Sequence, residues 1–502
     1  MILHCTIGRP VTFDQGATGQ GTDRSTQRAA LKFSSRKPIN AKGVIVREPR
    51  MLAAARKPFA VASLYAHRIM RRVHPAKLIF AGYAFYMLLG WALLCLPISQ
   101  AVPLVPLDSL FISVSAVSTT GLAPIDPGTS YTFFGELVIL LLIQAGGIGY
   151  MTVSSFVMMA MVNHLSPLRE RLTRAAFTLP DNASTGQFVM TVVTFTLAVE
   201  TIGALVLYAF FAAEGVPNAA WSAIFHSVSA FCTAGFSLNS NSLENFRGDF
   251  GINAAISVLS ILGAMGFLIV WDVWRSLTQK SFSLSFTSQV IIRITAAFLV
   301  VGTAIIFIAD PGIAALPSHE RLLASFFQTM TAATTVGFNT HPIGTLAPAV
   351  IVLLYFLMAI GASPSGTGGG LKTTTFAAVI GMVRSTVRRR SEITFFRRVI
   401  APARLQVAMA SSAYFVMLMT PAVFALCLTE PGKDFEALLF EAISAIGTVG
   451  LSMGITGSLT DLGKVIIILL MFAGRVGILT FGIALASPDE SPEVKRGDDL
   501  LV

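Results

Sequence analysis

One short phrase of small and hydroxyl-bearing residues occurs four times in this chain of 502 residues. Its pattern is [Ser/Thr]-Ala-x-x-Thr-x-Gly-[Leu/Phe], and the copies lie at 115–122, 229–236, 331–338 and 444–451. A glycine can adopt a positive φ, which lets the backbone turn and point its carbonyl oxygens inward. A ring of such carbonyls can replace the hydration shell of an ion. The chemistry that this pattern offers is therefore cation coordination by backbone oxygen.

The four copies recur over a long period. Their glycines are 114, 102 and 113 residues apart, which indicates four tandem repeats. A lone Thr-x-Gly is an ordinary turn, but four copies at equivalent positions favour a shared role. The predicted selectivity filter comprises Ser118, Thr119, Thr120, Gly121, Cys232, Thr233, Ala234, Gly235, Thr334, Thr335, Val336, Gly337, Gly447, Thr448, Val449 and Gly450. The carbonyls predicted to bind the cation are those of Thr120, Gly121, Ala234, Gly235, Val336, Gly337, Val449 and Gly450.

Each copy ends a short apolar segment that must position it. The segments begin near Asp108, Asn218, Glu320 and Asp434. A helix of about 10 to 14 residues crosses only about half of a ~30 Å hydrocarbon core. We therefore expect four re-entrant loops, since irregular backbone at membrane depth must line a cavity or be buried in protein. The partly negative C-terminal ends of these helices would favour a cation.

The composition is that of a membrane protein. The chain is 54% hydrophobic and 12% charged, whereas soluble domains average about 25% charged residues. The expected fold is an all-α membrane protein of four tandem span/pore-helix/span repeats around a pseudo-fourfold pore, with eight transmembrane helices and four re-entrant loops. The expected spans lie near 77–97, 136–162, 188–213, 251–274, 290–309, 346–382, 405–429 and 463–486.

The charge distribution sets the expected topology. Residues 1–77 hold 15 Lys or Arg against three Asp or Glu, so the formal charge of +10 is mainly a local feature and does not indicate nucleic-acid binding. Basic residues also fill the connections between repeats, which places these connections and both termini in the cytoplasm. A glycosylation sequon at 182–184 would then be cytoplasmic and accidental.

These patterns divide the chain into segments. The expected organisation is a basic, largely disordered cytoplasmic extension over 1–76, repeat 1 over 77–162, repeat 2 over 188–275, repeat 3 over 289–383, repeat 4 over 404–487 and a cytoplasmic tail over 488–502.

Enzymatic chemistry finds little support in the sequence. The cysteines, Cys5, Cys95, Cys232 and Cys427, are far apart in the sequence, so they form neither a zinc spacing nor a disulfide framework. No nucleophile, base or metal set is clustered. We expect no enzymatic activity and no cofactor.

A glycine-rich stretch over 361–375 interrupts the sixth span. Its five glycines and one proline cannot sustain a helix. A Walker A phosphate loop needs Gly directly before Lys, but Leu371 precedes Lys372. A plain turn is the alternative to the favoured interpretation, a flexible plug beneath the third filter loop. The predicted gate residues are Gly366, Gly368, Gly369, Gly370, Lys372 and Arg475.

Four further polar residues lie in apolar sequence. Arg475 is expected to face the pore near the plug, because a charge at membrane depth is costly unless it is paired or faces water. Its alternative is a side chain that extends to the nearer interface. Glu200 has no evident partner and is equally suited to a structural hydrogen bond or an ion site. His226 favours packing over ligation. Glu441 could concentrate cations or pack a helix.

Taken together, these motifs resemble the Trk/Ktr/HKT superfamily of potassium transporters. The resemblance rests on the four glycine loops, on Phe225 to Phe231, on Ser363 to Thr375 and on Gly474-Arg475-Val476-Gly477, and it covers about 77–486. The chain is most similar to the bacterial Ktr-type membrane subunit, since it lacks two extra N-terminal spans. Two departures are Cys232-Thr233, where many Ktr members carry asparagines, and the long basic N-terminus.

The resemblance implies a biological role. That role is potassium uptake across the bacterial cytoplasmic (inner) membrane by a homodimer with one pore per protomer, gated by the loop of the third repeat facing Arg475. It also implies a separate cytoplasmic ring of nucleotide-binding, RCK/KTN-type regulatory subunits. K⁺ is the expected substrate, and the sequence leaves coupling to Na⁺ or to protons, and a regulatory role of Na⁺, as open alternatives. The alternative is a secondary transporter of another cation or small solute, a class that usually has two repeats with half-helix N-termini at the substrate.

Overall fold

The computed structural model describes residues 75–149, 152, 185–278, 284–361 and 363–485. These residues are mostly helical. Their α-helices are α1 Pro75–Leu94, α2 Pro106–Ser118, α3 Pro127–Ser130, α4 Phe133–Gly147, α5 Thr185–Ala213, α6 Ala219–Phe231, α7 Phe250–Met265, α8 Phe267–Thr278, α9 Phe286–Ala309, α10 Pro311–Ala314, α11 Ser318–Thr334, α12 Pro348–Ala359, α13 Thr373–Val387, α14 Pro402–Thr429, α15 Phe435–Gly447, α16 Asp461–Val476 and α17 Ile478–Leu485. A hairpin joins β1 Thr394–Phe395 to β2 Arg398–Val399, and 3₁₀ turns lie at Pro97–Ser99, Glu244–Phe246, Ile343–Thr345 and Thr456–Ser458.

Several sequence predictions fall outside the described residues. They are most of the N-terminal extension, the end of the second span with the polar segment after it, the sequon at 182–184 and the tail at 488–502.

Helices are present at all four predicted half-length segments. Helices α2, α6 and α15 have 13 residues each and α11 has 17, which gives lengths of roughly 20 to 25 Å. Proline opens α2, where its missing N–H costs nothing. Each helix stops where the chain leaves right-handed backbone geometry, at the Thr-x-Gly turn. None of the four is long enough to cross a bilayer alone.

Other helices are long and apolar enough to cross a membrane. In the described residues α1, α5, α9 and α14 pass that test individually, and two bent pairs, α7 with α8 and α16 with α17, bring the number to as many as six. The chain bends within two of the predicted spans, by 89° within 251–274 and by 103° within 463–486. The bends occur at Gly266 and Gly477, whose φ values of 88° and 95° do not fit a right-handed helix.

The break in the sixth span is present, with different limits. Helix α12 ends at Ala359 and α13 begins at Thr373, so the irregular segment ends before Thr373 and the predicted limit of 375 is too late. A parallel bridge between Ile360 and Leu371 closes its base. The segment is thus a loop whose two ends pair with each other, between helices α12 and α13. We call residues 363–371 the intramembrane loop.

The helices pack in a closed cycle. Each short helix contacts the long helix before it and the apolar helix after it: α1–α2–α4, α5–α6–α7, α9–α11–α12 and α14–α15–α16. Each of these third helices also contacts the next short helix, in the pairs α4–α6, α7–α11, α12–α15 and α16–α2. The last pair closes the cycle, so the ends of all four short helices approach a common centre.

Glycines make the close packing at that centre possible. Gly146, Gly263 and Gly474 lie directly against the backbone carbonyls of Val117, Phe231 and Ile446, with no room for a side chain. Each of these carbonyls belongs to a residue four positions before a filter glycine. The small residues of the third helices therefore support the ends of the short helices from behind.

Candidate functional site

The turn after each short helix has the same geometry. The threonine two positions before the glycine is left-handed in every copy, with φ of 53° at Thr119, 51° at Thr233, 58° at Thr335 and 51° at Thr448. The glycines follow with φ of 94° at Gly121, 66° at Gly235, 87° at Gly337 and 92° at Gly450. Positive φ is costly for a β-branched residue, so the surrounding contacts must hold these threonines in place.

The first residue of the motif closes the turn. Its carbonyl accepts a hydrogen bond from the N–H of the residue before the glycine. The N···O distances are 2.9 Å from Thr120 to Ser115, 2.8 Å from Ala234 to Ser229, 3.1 Å from Val336 to Thr331 and 2.8 Å from Val449 to Ser444. In two copies the side chain adds a bond, since the N–H groups of Gly121 and Gly450 donate to the Ser115 and Ser444 hydroxyls at 3.0 Å. The recurrent Ser or Thr thus fixes the loop conformation.

The four glycines are neighbours in a closed order. A Cβ atom on Gly121 would lie 3.1 Å from the Cα of Gly235, one on Gly235 would lie 3.0 Å from Gly337, one on Gly337 would lie 3.1 Å from Gly450, and one on Gly450 would lie 3.1 Å from Gly121. The same atoms would collide with the carbonyl oxygens of Ala234, Val336, Val449 and Thr120. The structure therefore brings the four predicted filter loops together in one ring in which only glycine fits.

The ring offers oxygen ligands to a cation. The carbonyls of Thr120, Ala234, Val336 and Val449 accept no hydrogen bond from any described residue. The C-terminal ends of α2, α6, α11 and α15 add a partial negative charge at the same place. Within the described ranges no three His, Cys, Asp or Glu side chains converge as a metal site would need. Backbone oxygen is thus the ligand that this centre provides.

One side of the ring opens into a cavity of about 230 Å³. Gly121, Gly450, Ser452 and Thr456 are among its lining residues. Behind the last two lies the fully buried Glu441, whose Oε1 accepts hydrogen bonds from Ser452 at 3.4 Å and from Thr456. Glu441 therefore holds the chain that follows the fourth filter loop.

The intramembrane loop lies against the opposite side of the ring, where the loops turn. In this loop the carbonyl of Thr367 accepts a hydrogen bond from the Thr119 hydroxyl at 3.2 Å. The hydroxyl of Thr367 lies 2.9 Å from the hydroxyl of Thr233. The N–H of Gly369 donates to the hydroxyl of Thr448 at 2.8 Å. The loop thus contacts three of the four filter loops.

Arg475 joins this assembly from α16. Its guanidinium donates to the Thr119 hydroxyl at 2.9 Å, to the Thr367 carbonyl, and to the carbonyls of Gly146 and Gly147, the last at 3.4 Å. These contacts place the Arg475 guanidinium between the loop and the first filter turn. A guanidinium suits this position because it donates several hydrogen bonds from one plane.

The other predicted gate residues lie in the intramembrane loop or, in the case of Lys372, directly after it. Lys372 donates to the carbonyls of Gly368 and Gly369 at 2.6 and 3.1 Å. Gly366 lies close to the Ala264 backbone, and a Cβ on Gly370 would lie 3.2 Å from the Cα of Gly447. The Lys372 side chain thus stabilises the loop by binding its carbonyl groups. The glycines let the loop backbone approach neighbouring segments closely.

The chain matches the family model of TrkH, described as cation transport protein, over residues 93–495. The chain belongs to the TrkH cation transport protein family.

Members of the family with curated descriptions cover most of the chain. The Ktr system potassium uptake protein B of Bacillus subtilis is 36% identical, over 84% of this chain and 95% of that protein. The protein of the same name from Vibrio alginolyticus is 32% identical, with coverage of 82% and 91%. The potassium/sodium uptake protein NtpJ of Enterococcus hirae is 31% identical, with coverage of 83% and 94%.

A solved structure supports the fold. The crystal structure of the potassium transporter TrkH from Vibrio parahaemolyticus matches with a TM-score of 0.62 and 20% sequence identity, over 83% of this chain and 86% of that one. The predicted resemblance to the Trk/Ktr/HKT superfamily is confirmed. The chain is a multi-pass membrane protein and belongs with transport proteins rather than enzymes.

Two polar residues have partners that the sequence did not reveal. The Glu200 carboxylate accepts hydrogen bonds from the Gln144 amide at 3.0 Å and from the Cys232 thiol at 3.7 Å, which fits the structural hydrogen-bonding role considered for it. Gln144 and Cys232 come from α4 and from the second filter turn, so only the tertiary fold joins them. His226 bonds to the Ser222 carbonyl at 2.7 Å and to the Ser237 hydroxyl at 2.9 Å, as a packing histidine does.

Thr367 is the functional candidate that sequence reasoning missed. In the sequence Thr367 lies in a stretch with five glycines and looks like an ordinary polar residue of a loop. The structure buries it fully and gives it contacts to two filter threonines and to Arg475. A usable signal was its place at the centre of the glycine-rich stretch, where flanking glycines allow close backbone approach.

Proposed function

We propose that the chain is the membrane subunit of a potassium uptake system, in which K⁺ crosses the membrane through the glycine ring. The carrying observation is the closed ring of four loops whose carbonyls at Thr120, Ala234, Val336 and Val449 have no other hydrogen-bond partner. Such oxygens can substitute for water around K⁺. The printed functions of the relatives, potassium uptake in two and potassium/sodium uptake in a third, support K⁺ as the cargo.

The proposed topology has eight spans and four re-entrant loops. Helices α1, α5, α9 and α14 would be the first spans of the repeats. Helix α4 and the bent or interrupted helices after the other three filter loops would be the second. The excess of basic residues between repeats supports cytoplasmic termini and an inner-membrane location. With an inside-negative potential, K⁺ entry gains about 2.3 kcal/mol per 100 mV.

The intramembrane loop is proposed to be the gate. It contacts three filter loops at the side where they turn, and with Arg475 it places a positive charge next to that side. Release of the loop would open the path to the cytoplasm. We propose that a cytoplasmic RCK/KTN-type ring and a homodimeric arrangement control this release, and that Na⁺ is a coupling or regulatory ion. The words "Ktr system" in the relatives' names support a partner.

Ion flux into liposomes tests this proposal. The purified full-length chain would be compared with a variant lacking residues 366–370 and with Thr303→Val, a matched control whose hydroxyl bonds only within α9. We expect K⁺ and Rb⁺ to enter faster than Na⁺, a higher flux after the deletion, and wild-type behaviour in the control. If neither the wild type nor the deletion variant carries any alkali cation, the proposal fails, and transport of another solute becomes the function to test.

A further inference from the structure

Three of the four left-handed threonines use their hydroxyl groups to bind the intramembrane loop. Thr119 and Thr233 bind Thr367, and Thr448 binds the N–H of Gly369. The fourth, Thr335, is equally buried and its hydroxyl makes no hydrogen bond. All four hydroxyls belong to the residue at which a filter loop reverses direction. The intramembrane loop therefore forms hydrogen bonds with hydroxyl groups that lie beside the end of the ring.

A hydroxyl engaged in this way is not available to an ion. Oxygen atoms are the ligands that hard cations prefer, and threonine hydroxyls next to a carbonyl ring can extend its coordination by one layer. With the loop in place, the Thr119 hydroxyl donates to Thr367 and accepts from Arg475 at 2.9 Å, so neither face of it is open. A cation at this end of the ring and the loop would need the same oxygens.

Arg475 makes the competition stronger. Its guanidinium donates to the Thr367 carbonyl and to the Thr119 hydroxyl together, so its positive charge lies at the corner where the loop meets the first filter turn. A cation bound to the neighbouring hydroxyls would repel it, and such repulsion is strong where water is excluded. Loop contact and ion occupancy thus oppose each other through both ligands and charge.

We propose that Thr367 is a positioning residue that couples the gate to the filter, so that loop closure and occupancy of the cation position formed by the filter threonines exclude each other. This inference rests on the proposed function and deepens it: the transported cation itself releases the gate. Such coupling is reciprocal, since whatever stabilises the loop must also weaken ion binding at that position. Potassium-dependent opening is then a property of the membrane subunit itself, and the proposed cytoplasmic ring acts in addition to it.

The contact between Thr233 and Thr367 provides the test. Rb⁺ flux into liposomes would be measured for Thr233→Val, Thr367→Val, the double variant and Thr367→Ser, with Thr303→Val as the matched control. Each single valine change should raise basal flux about fivefold, the factor that corresponds to one hydrogen bond of about 1 kcal/mol. The double variant should rise by the same factor, because both changes remove one bond. Thr367→Ser keeps the hydroxyl and should retain wild-type flux.

Potassium dependence supplies a second measurement that needs no substitution at the contact. With equal K⁺ concentrations on both sides of the membrane, the rate of Rb⁺ exchange in the wild type should rise more steeply than in proportion to the K⁺ concentration. After deletion of 366–370, the same rate should follow a simple saturation curve. Simple saturation in the wild type, multiplying effects in the double variant, or a serine variant that behaves like valine would each overturn the inference. The proposed function would survive these results, because it fails only when wild type and deletion variant both carry no alkali cation.

Discussion

Gly235 and Gly215 form a matched pair that isolates the ring contact from backbone strain. Their φ values, 66° and 70°, are nearly equal. A Cβ on Gly235 would lie 3.0 Å from the Cα of Gly337 and would collide with the Val336 carbonyl, whereas a Cβ on Gly215 would meet nothing within 4 Å. Changing each to alanine therefore imposes similar local strain, but only Gly235→Ala displaces a neighbouring filter loop.

The expected sizes follow from these distances. A non-glycine residue at positive φ costs about 1 to 3 kcal/mol, so both variants should lose thermal stability, and Gly235→Ala should lose more because it also clashes with the neighbouring loop. At Gly235 the third filter loop must also retreat by more than roughly 0.5 Å, which exceeds the tolerance within which a binding constellation has to be held. If this displacement costs bound K⁺ about 1 kcal/mol more than it costs Na⁺, the ratio of K⁺ to Na⁺ flux falls about fivefold.

The assay combines ion flux in liposomes with thermal unfolding of the same preparations. Gly235→Ala should show a fivefold or larger fall in the K⁺ to Na⁺ ratio, and Gly215→Ala should keep the wild-type ratio while its melting temperature falls. Equal ratios in the two variants would refute the reasoning, because the ring contact would then have no influence on ion choice. A loss of selectivity in Gly215→Ala alone would refute it as well.

Three further changes have defined outcomes. Lys464→Met should cost about 3 to 5 kcal/mol of unfolding free energy, because it leaves the buried Asp108 without its partner at 2.6 Å; thermal unfolding measures this, and adding Asp108→Asn should restore most of it. Burial and the positive charge of Arg247 lower the pKa of His341 from 6.5. As the pH falls, His341 therefore becomes protonated in the unfolded chain before it does in the folded protein. The melting temperature should therefore fall as the pH drops below about 6.5, and His341→Gln should reduce that slope. Arg475→Lys keeps the charge but loses the fork geometry, so basal Rb⁺ flux should rise.

The architecture was predictable where a pattern repeats and unpredictable where one residue acts alone. Four copies of one motif placed the half-length helices α2, α6, α11 and α15, because no single copy had to be interpreted in isolation. The bends at Gly266 and Gly477 gave no such signal, since an isolated glycine is tolerated inside a helix. Only the packed structure fixes their φ values at 88° and 95°.

The candidate site shows the same division. Glycine at the filter position was readable because glycine is the residue that accepts positive φ without cost. The left-handed threonines were not readable, because sequence propensity argues against that geometry for a β-branched residue. Glu200 and Thr367 depend on partners far away in the chain, such as Gln144 and Thr119. Their roles follow from tertiary contacts that no local window contains.

The ring of glycines also constrains how the protein is made. Its last contact joins Gly450 to Gly121, positions 329 residues apart in the sequence. At a synthesis rate of about 5 to 20 residues per second, the first loop waits roughly 15 to 65 s before its final neighbour exists. The pair of Lys464 and Asp108 arrives later still. Premature release of the nascent chain would thus leave three loops and an open ring, so closure of the ring is necessarily a late event in biogenesis.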